Sequence, residues 1–317
     1  MVRLELVLEL SYEITGQDGA DFIFNIHAAQ TPHQTIRNER LELNQPLKPE
    51  IATDLTTATR FMRLHAEPGP LRLKYEATLD VTHHRADPQT LHEVDVRCLP
   101  LEVMPYVYPS RYCQSDRLLN FAYREFGDLP RGYGRVMAIQ RWVQDHVQFA
   151  SNTTHGGTSA VDTLIERFGV CRDFTHLMIA LCRALNIPAR VATGTDYGAN
   201  EALGPPDLHA YAEVYLNDRW YLFDPSGTGI PMGFMRFGVG RDAADVAFAT
   251  MFGGVQAGPP MLSIRALAGP GLETPMHVGD ALSTAALFQT QSDCAAFGAH
   301  PHGETSDGRR ASQVASP

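Results

Sequence analysis

One cysteine stands directly before a segment with clear helical periodicity. Cys171 lies three residues before Phe174, which begins a row of apolar positions spaced at i, i+3, i+4, i+7, i+8 and i+11. The row comprises Phe174, Leu177, Met178, Leu181, Cys182 and Leu185. A thiol in the first turn of a helix faces unpaired backbone N–H groups and the positive end of the helix dipole, an environment that favours the reactive thiolate. The spacing therefore indicates that Cys171 is a candidate nucleophile.

A second segment, downstream of the predicted helix, has the pattern of a β-hairpin. Residues 207–216 alternate in character, Asn217 and Asp218 supply turn chemistry, and a second extended run follows. If these two residues form the whole loop, His209 and Asp224 project from the same face as diagonal neighbours. A three-residue loop would shift the register and separate them. The two-residue hypothesis predicts an imidazole and a carboxylate within reach of each other.

A nucleophile at a helix N-terminus and a histidine–aspartate pair on neighbouring strands suit covalent acyl transfer. Cys171 would attack the carbonyl, His209 would move the proton and Asp224 would orient the imidazole. Each residue also has a simpler interpretation: a lone cysteine is often a core thiol, and an aspartate before proline is often a turn residue. Sequence alone does not show that Cys171 meets His209 in space.

Several ordered motifs resemble those of the bacterial transglutaminase-like superfamily. They are Thr158-Ser-Ala-Val-Asp-Thr-Leu, Gly169-Val-Cys-Arg-Asp-Phe-Thr-His, Ala184-Leu-Asn-Ile-Pro-Ala-Arg-Val, His209-Ala-Tyr-Ala-Glu-Val-Tyr and Phe223-Asp-Pro-Ser. The resemblance covers about residues 100–268. It implies a papain-like core, a cysteine protease type of chemistry, and Cys171, His209 and Asp224 as the catalytic triad. Tyr211 stands where tryptophan is frequent in the family, and Thr175 where a smaller residue is frequent.

The patterns predict an α+β fold. Residues 1–97 alternate between apolar and polar side chains, which is typical of antiparallel strands packed in a β-sandwich. Residues 98–270 are predicted to form the papain-like, transglutaminase-like core, with a helix packed on an antiparallel sheet. Residues 271–317 are Ala/Gly/Ser-rich and polar, and we expect a disordered tail there.

Bulk properties restrict the classes of partner. The net charge of −10 argues against nucleic acid or an anionic membrane, and no apolar run is long enough to span a bilayer. The charged N-terminal segment does not have the pattern of a secretory signal. The five cysteines, an odd number without metal-type spacing, fit reduced thiols in the cytoplasm. They are Cys98, Cys113, Cys171, Cys182 and Cys294.

Function remains open between several alternatives at this point. A thioester exposed to water gives a peptidase or amidase acting on a peptide or protein amide, which the resemblance favours, whereas an amine-admitting cleft gives a transglutaminase. A non-catalytic scaffold and a cysteine-centred redox or ligand sensor are the rivals from other classes. We expect no metal or organic cofactor. The backbone N–H of Cys171 is the natural first oxyanion donor, and Trp142, Asn152 and Tyr112 are candidates for the second. His176 ranks below His209 as the base.

Overall fold

The computed structural model describes residues 1–198 and 207–285. Its helices are α1 (Ser115–Phe126), α2 (Tyr133–His146), α3 (Ala160–Glu166) and α4 (Cys171–Ala184). The first strands are β1 (Val2–Ile14), β2 (Ala20–Phe24), β3 (Gln34–Leu43), β4 (Glu50–Thr53), β5 (Arg60–Ala66), β6 (Gly69–Val81), β7 (His84–Ala86), β8 (Gln148–Phe149) and β9 (Phe168–Gly169). The others are β10 (Ala189–Asp196), β11 (Leu208–Leu216), β12 (Arg219–Phe223), β13 (Phe234–Gly240), β14 (Ala249–Phe252), β15 (Val255–Ala257), β16 (Met261–Ala266) and β17 (Ala281–Ser283).

Two antiparallel sheets form the N-terminal sandwich. One has the order β15-β1-β6-β3, with β16 also paired to β1, and the other has the order β14-β2-β5-β4. Every second residue of β1 is buried between the sheets, as the alternating sequence predicts. The aromatic rings of Tyr12 and Phe22 meet across the interior with their centroids 5.2 Å apart. The predicted N-terminal β-sandwich is therefore confirmed.

Residues 249–266 lie within the range 98–270 that the sequence analysis assigned to the core, yet their strands belong to the sandwich. β14 pairs with β2, and β15 and β16 both pair with β1. Backbone N–H and C=O groups at a sheet edge need partners, and the returning chain supplies them here. Alternation in a sequence identifies a strand but not the strand with which it pairs.

The predicted tail also differs from the structure in its first part. β17 pairs with β7, and its Ala281 and Leu282 are buried. These apolar side chains contribute to packing that a polar, Ala/Gly/Ser-rich composition does not suggest. Residues 286–317 of the predicted tail lie outside the described residues.

The second half of the fold is built on α4. This helix packs on the sheet β12-β11-β10-β13, and residues 173–184 are buried along its whole length. Helices α1, α2 and α3 cover its other sides, so α4 is enclosed rather than half-exposed. The helix-on-sheet arrangement beside a β-sandwich confirms the predicted α+β class.

Three cysteines within the described residues, Cys113, Cys171 and Cys182, are free thiols. Reduced thiols throughout the chain, and the cytoplasmic location that they would suit, stay predictions. Within residues 1–198 and 207–285, we find no helix with the length and apolar character needed to cross a membrane.

Candidate active site

Hydrogen bonds at the start of α4 fix the position of the candidate nucleophile. The carboxylate of Asp173 reaches back to accept the N–H of Val170 at 2.9 Å, and the hydroxyl of Thr154 donates to the same oxygen at 2.8 Å. A Cβ at Gly169 would lie 2.7 Å from the Cβ of Asp173, so a larger residue would obstruct this first turn. Asp173 therefore caps the start of α4, and Cys171 is held as the first residue of the helix.

The hairpin has the predicted two-residue loop. Leu216 is opposite Arg219, and Ala212 is opposite Phe223. This register places His209 and Asp224 on the same face, with 3.5 Å between Nε2 and Oδ1. That distance is longer than a typical hydrogen bond but within the range of an ion pair.

Three further donors hold the carboxylate of Asp224. Oδ1 accepts the N–H of Ser226 at 3.0 Å and its hydroxyl at 2.6 Å, and Oδ2 accepts the N–H of Gly229 at 2.7 Å. Burial alone would raise the pKa of Asp224, but His209 and these donors outweigh burial and hold the pKa below its ordinary value. Asp224 is therefore an oriented carboxylate rather than a loose turn residue.

Cys171 and His209 line the same cleft, a cavity of about 750 Å³. The thiol Sγ lies 3.8 Å from the carbonyl oxygen of Leu208, the residue before His209. Burial would lower the pKa of His209, but the charge of Cys171 and the contact with Asp224 hold the pKa well above its ordinary value. Because Nε2 faces Asp224, Nδ1 is the ring nitrogen left for the thiol.

The other candidates from the sequence occupy different positions. Among the three suggested oxyanion donors, Tyr112 lines the cleft, but its hydroxyl donates to the carbonyl of Gly156 at 2.6 Å. Trp142 stacks on His146, with a ring separation of 4.1 Å, and neither Trp142 nor Asn152 lines the cleft. The second donor thus stays unassigned.

His176 supports the wall of the cleft instead of facing its interior. Its Nε2 accepts the N–H of Ala243 at 3.1 Å, and its ring stacks on Tyr112 with 5.1 Å between centroids. Burial lowers its pKa to about 4, so the ring is neutral at physiological pH. The structure thus agrees with ranking His176 below His209.

Sequence reasoning missed two parts of the site. Asp196, at the end of β10, is a buried carboxylate that lines the cleft, and the only sequence signal was its position beside a Gly/Pro-rich loop. Residues 199–206 of that loop lie outside the described residues. The second part is formed by the chain as it returns to the sandwich, and its lining residues are Ala243, Val246, Ala247, Phe248, Ala249, Pro259 and Pro260. Within residues 1–198 and 207–285, no cluster of three or more metal-binding side chains occurs.

Comparisons with known proteins match both halves of the chain. Residues 122–225 match the model of the transglutaminase-like superfamily, and residues 2–102 match that of the bacterial transglutaminase N-terminal domain. The fold is similar to a crystal structure described as "a Putative Cysteine Protease from Cytophaga hutchinsonii", with a TM-score of 0.83 and 37% sequence identity. That similarity covers 91% of this chain and 98% of the other.

Curated relatives match over shorter segments. An uncharacterised protein of Mycobacterium leprae is 31% identical over 117 residues, which are 35% of this chain and 42% of the relative. An uncharacterised protein of Mycobacterium tuberculosis is 31% identical over 109 residues, 31% of this chain and 35% of the relative. The chain thus spans less than half the length of these relatives. The two family models and the similar crystal structure support a cysteine-dependent enzyme. The chain belongs to the bacterial transglutaminase-like superfamily.

Proposed function

We propose that this protein catalyses acyl transfer on peptide or protein amides through a thioester, with hydrolysis as the normal outcome. The thiolate of Cys171 attacks the amide carbonyl, and the tetrahedral intermediate collapses with loss of the amine. His209, as imidazolium, donates a proton to that amine. His209 then takes a proton from water as the water oxygen attacks the thioester; the C–S bond breaks, the acid is released, and the Cys171 thiolate and the His209 imidazolium are restored. Asp224 orients the imidazole throughout.

One observation carries this proposal: Cys171 and His209 share a cleft, and Asp224 lies 3.5 Å from the imidazole. The raised pKa of His209 supports a thiolate–imidazolium pair as the resting state, because both partners gain by being charged together. The backbone N–H of Cys171, at the positive end of α4, is the proposed first oxyanion donor.

Hydrolysis is the preferred outcome for two reasons. The structural relative from Cytophaga hutchinsonii is described as "a Putative Cysteine Protease". The cleft is also broad, about 750 Å³, which gives water access to a thioester. An amine would compete with water at the same thioester, so cross-linking remains the alternative reaction of the same residues.

The test is the rate at which iodoacetamide alkylates Cys171 as a function of pH, with the modified peptide identified by mass spectrometry. The ordinary pKa of a free thiol is about 8.5. We expect Cys171 to be alkylated rapidly well below that pH. Replacement His209→Ala should slow alkylation by about 30-fold at pH 7, because a thiol with a pKa of about 8.5 is only about 3% thiolate at that pH. The matched control is His65→Ala, because His65 is half-exposed on the sandwich and pairs with Asp21.

A labelled peptide pool incubated with dansylcadaverine then separates the two reactions. Free acid products indicate hydrolysis, and dansyl conjugates indicate transamidation. Slow alkylation that does not depend on His209, with no product of either kind, would refute the enzyme and favour a binding scaffold. The buried thiols Cys113 and Cys182 should stay unmodified in the folded protein and serve as internal controls.

A further inference from the structure

A second buried carboxylate lies beside the proposed triad. Asp196 is only 2% exposed and lines the same cleft as Cys171 and His209. One of its oxygens accepts the hydroxyl of Tyr211, and the other accepts the N–H of Ile230 at 3.2 Å. The mechanism above leaves this carboxylate without a role, although burying it is costly.

Tyr211 connects Asp196 to the imidazole. Its ring is fully buried and meets the ring of His209 edge-on, with centroids 4.9 Å apart and planes at 79°. Because the Tyr211 hydroxyl is tied to Asp196, the tyrosine ring has a fixed position against His209. The imidazole is thus held by Asp224 at one nitrogen and by the tyrosine ring at its side.

A single dipeptide supports both carboxylates. The N–H of Gly229 donates to Asp224 at 2.7 Å, and the next N–H, that of Ile230, donates to Asp196. A Cβ at Gly229 would lie 2.5 Å from both the Asp196 carboxylate and the Tyr211 hydroxyl. The backbone of Gly229 and Ile230 therefore links Asp224 and the Asp196–Tyr211 pair in one hydrogen-bonded unit.

We propose that Asp196 is a positioning residue that acts through Tyr211 to fix the ring of His209, and that its negative charge favours the imidazolium form. This inference rests on the proposed roles of Cys171 and His209. An anion closer to the imidazole than to the thiol stabilises the cation more than it destabilises the thiolate. The contact through Tyr211 places Asp196 on the His209 side of the pair.

The charge of Asp196 should change near neutral pH. Burial raises the pKa of Asp196 to about 7, and the charge of Asp224 raises it further. The charge of His209, the Tyr211 hydroxyl and the N–H of Ile230 oppose this increase. Below that pH the carboxyl is neutral and gives the imidazolium no support. Above it, the carboxylate is ionised and favours the thiolate–imidazolium pair.

The experiment is the pH profile of Cys171 alkylation by iodoacetamide in the wild type and in Asp196→Asn and Tyr211→Phe. We expect an additional rise near pH 7 in the wild type. Asp196→Asn should abolish that rise and slow alkylation at pH 8 by about two- to threefold, because even an unpaired thiol with a pKa of about 8.5 is about a quarter thiolate at that pH. Tyr211→Phe keeps the ring contact but removes the donor, so the rise should move to higher pH.

Asp80→Asn is the matched control, because Asp80 is also a buried carboxylate but binds Arg3 in the sandwich. It should lower the melting temperature and leave the alkylation profile unchanged. The same result for Asp196→Asn would overturn the positioning role. If Asp196→Asn does not fold, Tyr211→Phe decides, and an unmoved rise overturns the proposal. If the wild type is alkylated slowly and His209→Ala does not change the rate, the proposed function itself is refuted.

Discussion

Replacement of Glu213 by glutamine should strongly destabilise the fold. Glu213 lies on β11, is fully buried, and binds Arg190 at 2.7 Å and also Arg236. The guanidinium of Arg190 stacks over Trp220 at 4.3 Å, and that of Arg236 donates to Thr284 at 2.7 Å. One carboxylate therefore joins β11, the strand that carries His209, to β10 and β13 of the same sheet.

Two arguments give the same magnitude. Glutamine keeps the shape but removes the charge, so two buried guanidinium groups share one neutral partner, and breaking such a buried pair costs about 3–5 kcal/mol. Independently, burial would raise the pKa of Glu213, but the charges of Arg190 and Arg236 outweigh burial and lower the pKa from 4.5 to about 2. At about 1.4 kcal/mol per pKa unit, this corresponds to roughly 3 kcal/mol of stability at neutral pH.

Urea unfolding monitored by tryptophan fluorescence is the assay. The matched control is Glu76→Gln, because Glu76 is an exposed strand residue paired with Lys74, and such pairs contribute at most about 1 kcal/mol. The pH dependence has a definite sign. Since the folded pKa of Glu213 is lowered, its contribution is complete above about pH 4.5 and declines as pH falls toward about 2.

The stability gap between the wild type and Glu213→Gln should therefore narrow over that acidic range. A difference in the free energy of unfolding below about 1 kcal/mol at pH 7 would refute the reasoning, because it would mean that the negative charge of Glu213 does not stabilise Arg190 and Arg236. A gap of the expected size that stays constant down to the lowest pH would also refute it. In that case the loss would come from packing and not from ionisation.

Two further predictions concern the site itself. Asp224→Asn should slow alkylation of Cys171 at pH 7 by about 3–30-fold, because the imidazolium loses its partner and the pKa of His209 falls; an unchanged rate would remove Asp224 from the triad. Gly229→Ala should cost about 1–3 kcal/mol in urea unfolding and slow the same alkylation, since its methyl group would lie 2.5 Å from Asp196 and Tyr211. The control is Gly134→Ala, because a Cβ at Gly134 would meet nothing within 4 Å. It should neither lower the free energy of unfolding nor slow alkylation. A loss in this control would mean that the effect of Gly229→Ala is not specific to its contacts.

Local patterns in the sequence were sufficient to predict half of the candidate site. The apolar spacing after Cys171 predicts α4, and the helix begins at that cysteine. The turn pair Asn217-Asp218 sets the hairpin register, from which the proximity of His209 and Asp224 follows. These features depend on residues close in the chain, where turn geometry and periodicity restrict the backbone to few conformations.

The sequence by itself therefore determined the helix that begins at Cys171, the hairpin and the first strands of the sandwich, because each is encoded by a period or a turn. Only the tertiary structure decided that Cys171 and His209 share a cleft, that Asp196 supports Tyr211, and that residues 249–266 return to the sandwich. Alternation shows which face of a strand is buried but not which strand lies beside it. Contacts between segments far apart in the chain depend on the packing of the whole core, and no local pattern specifies them.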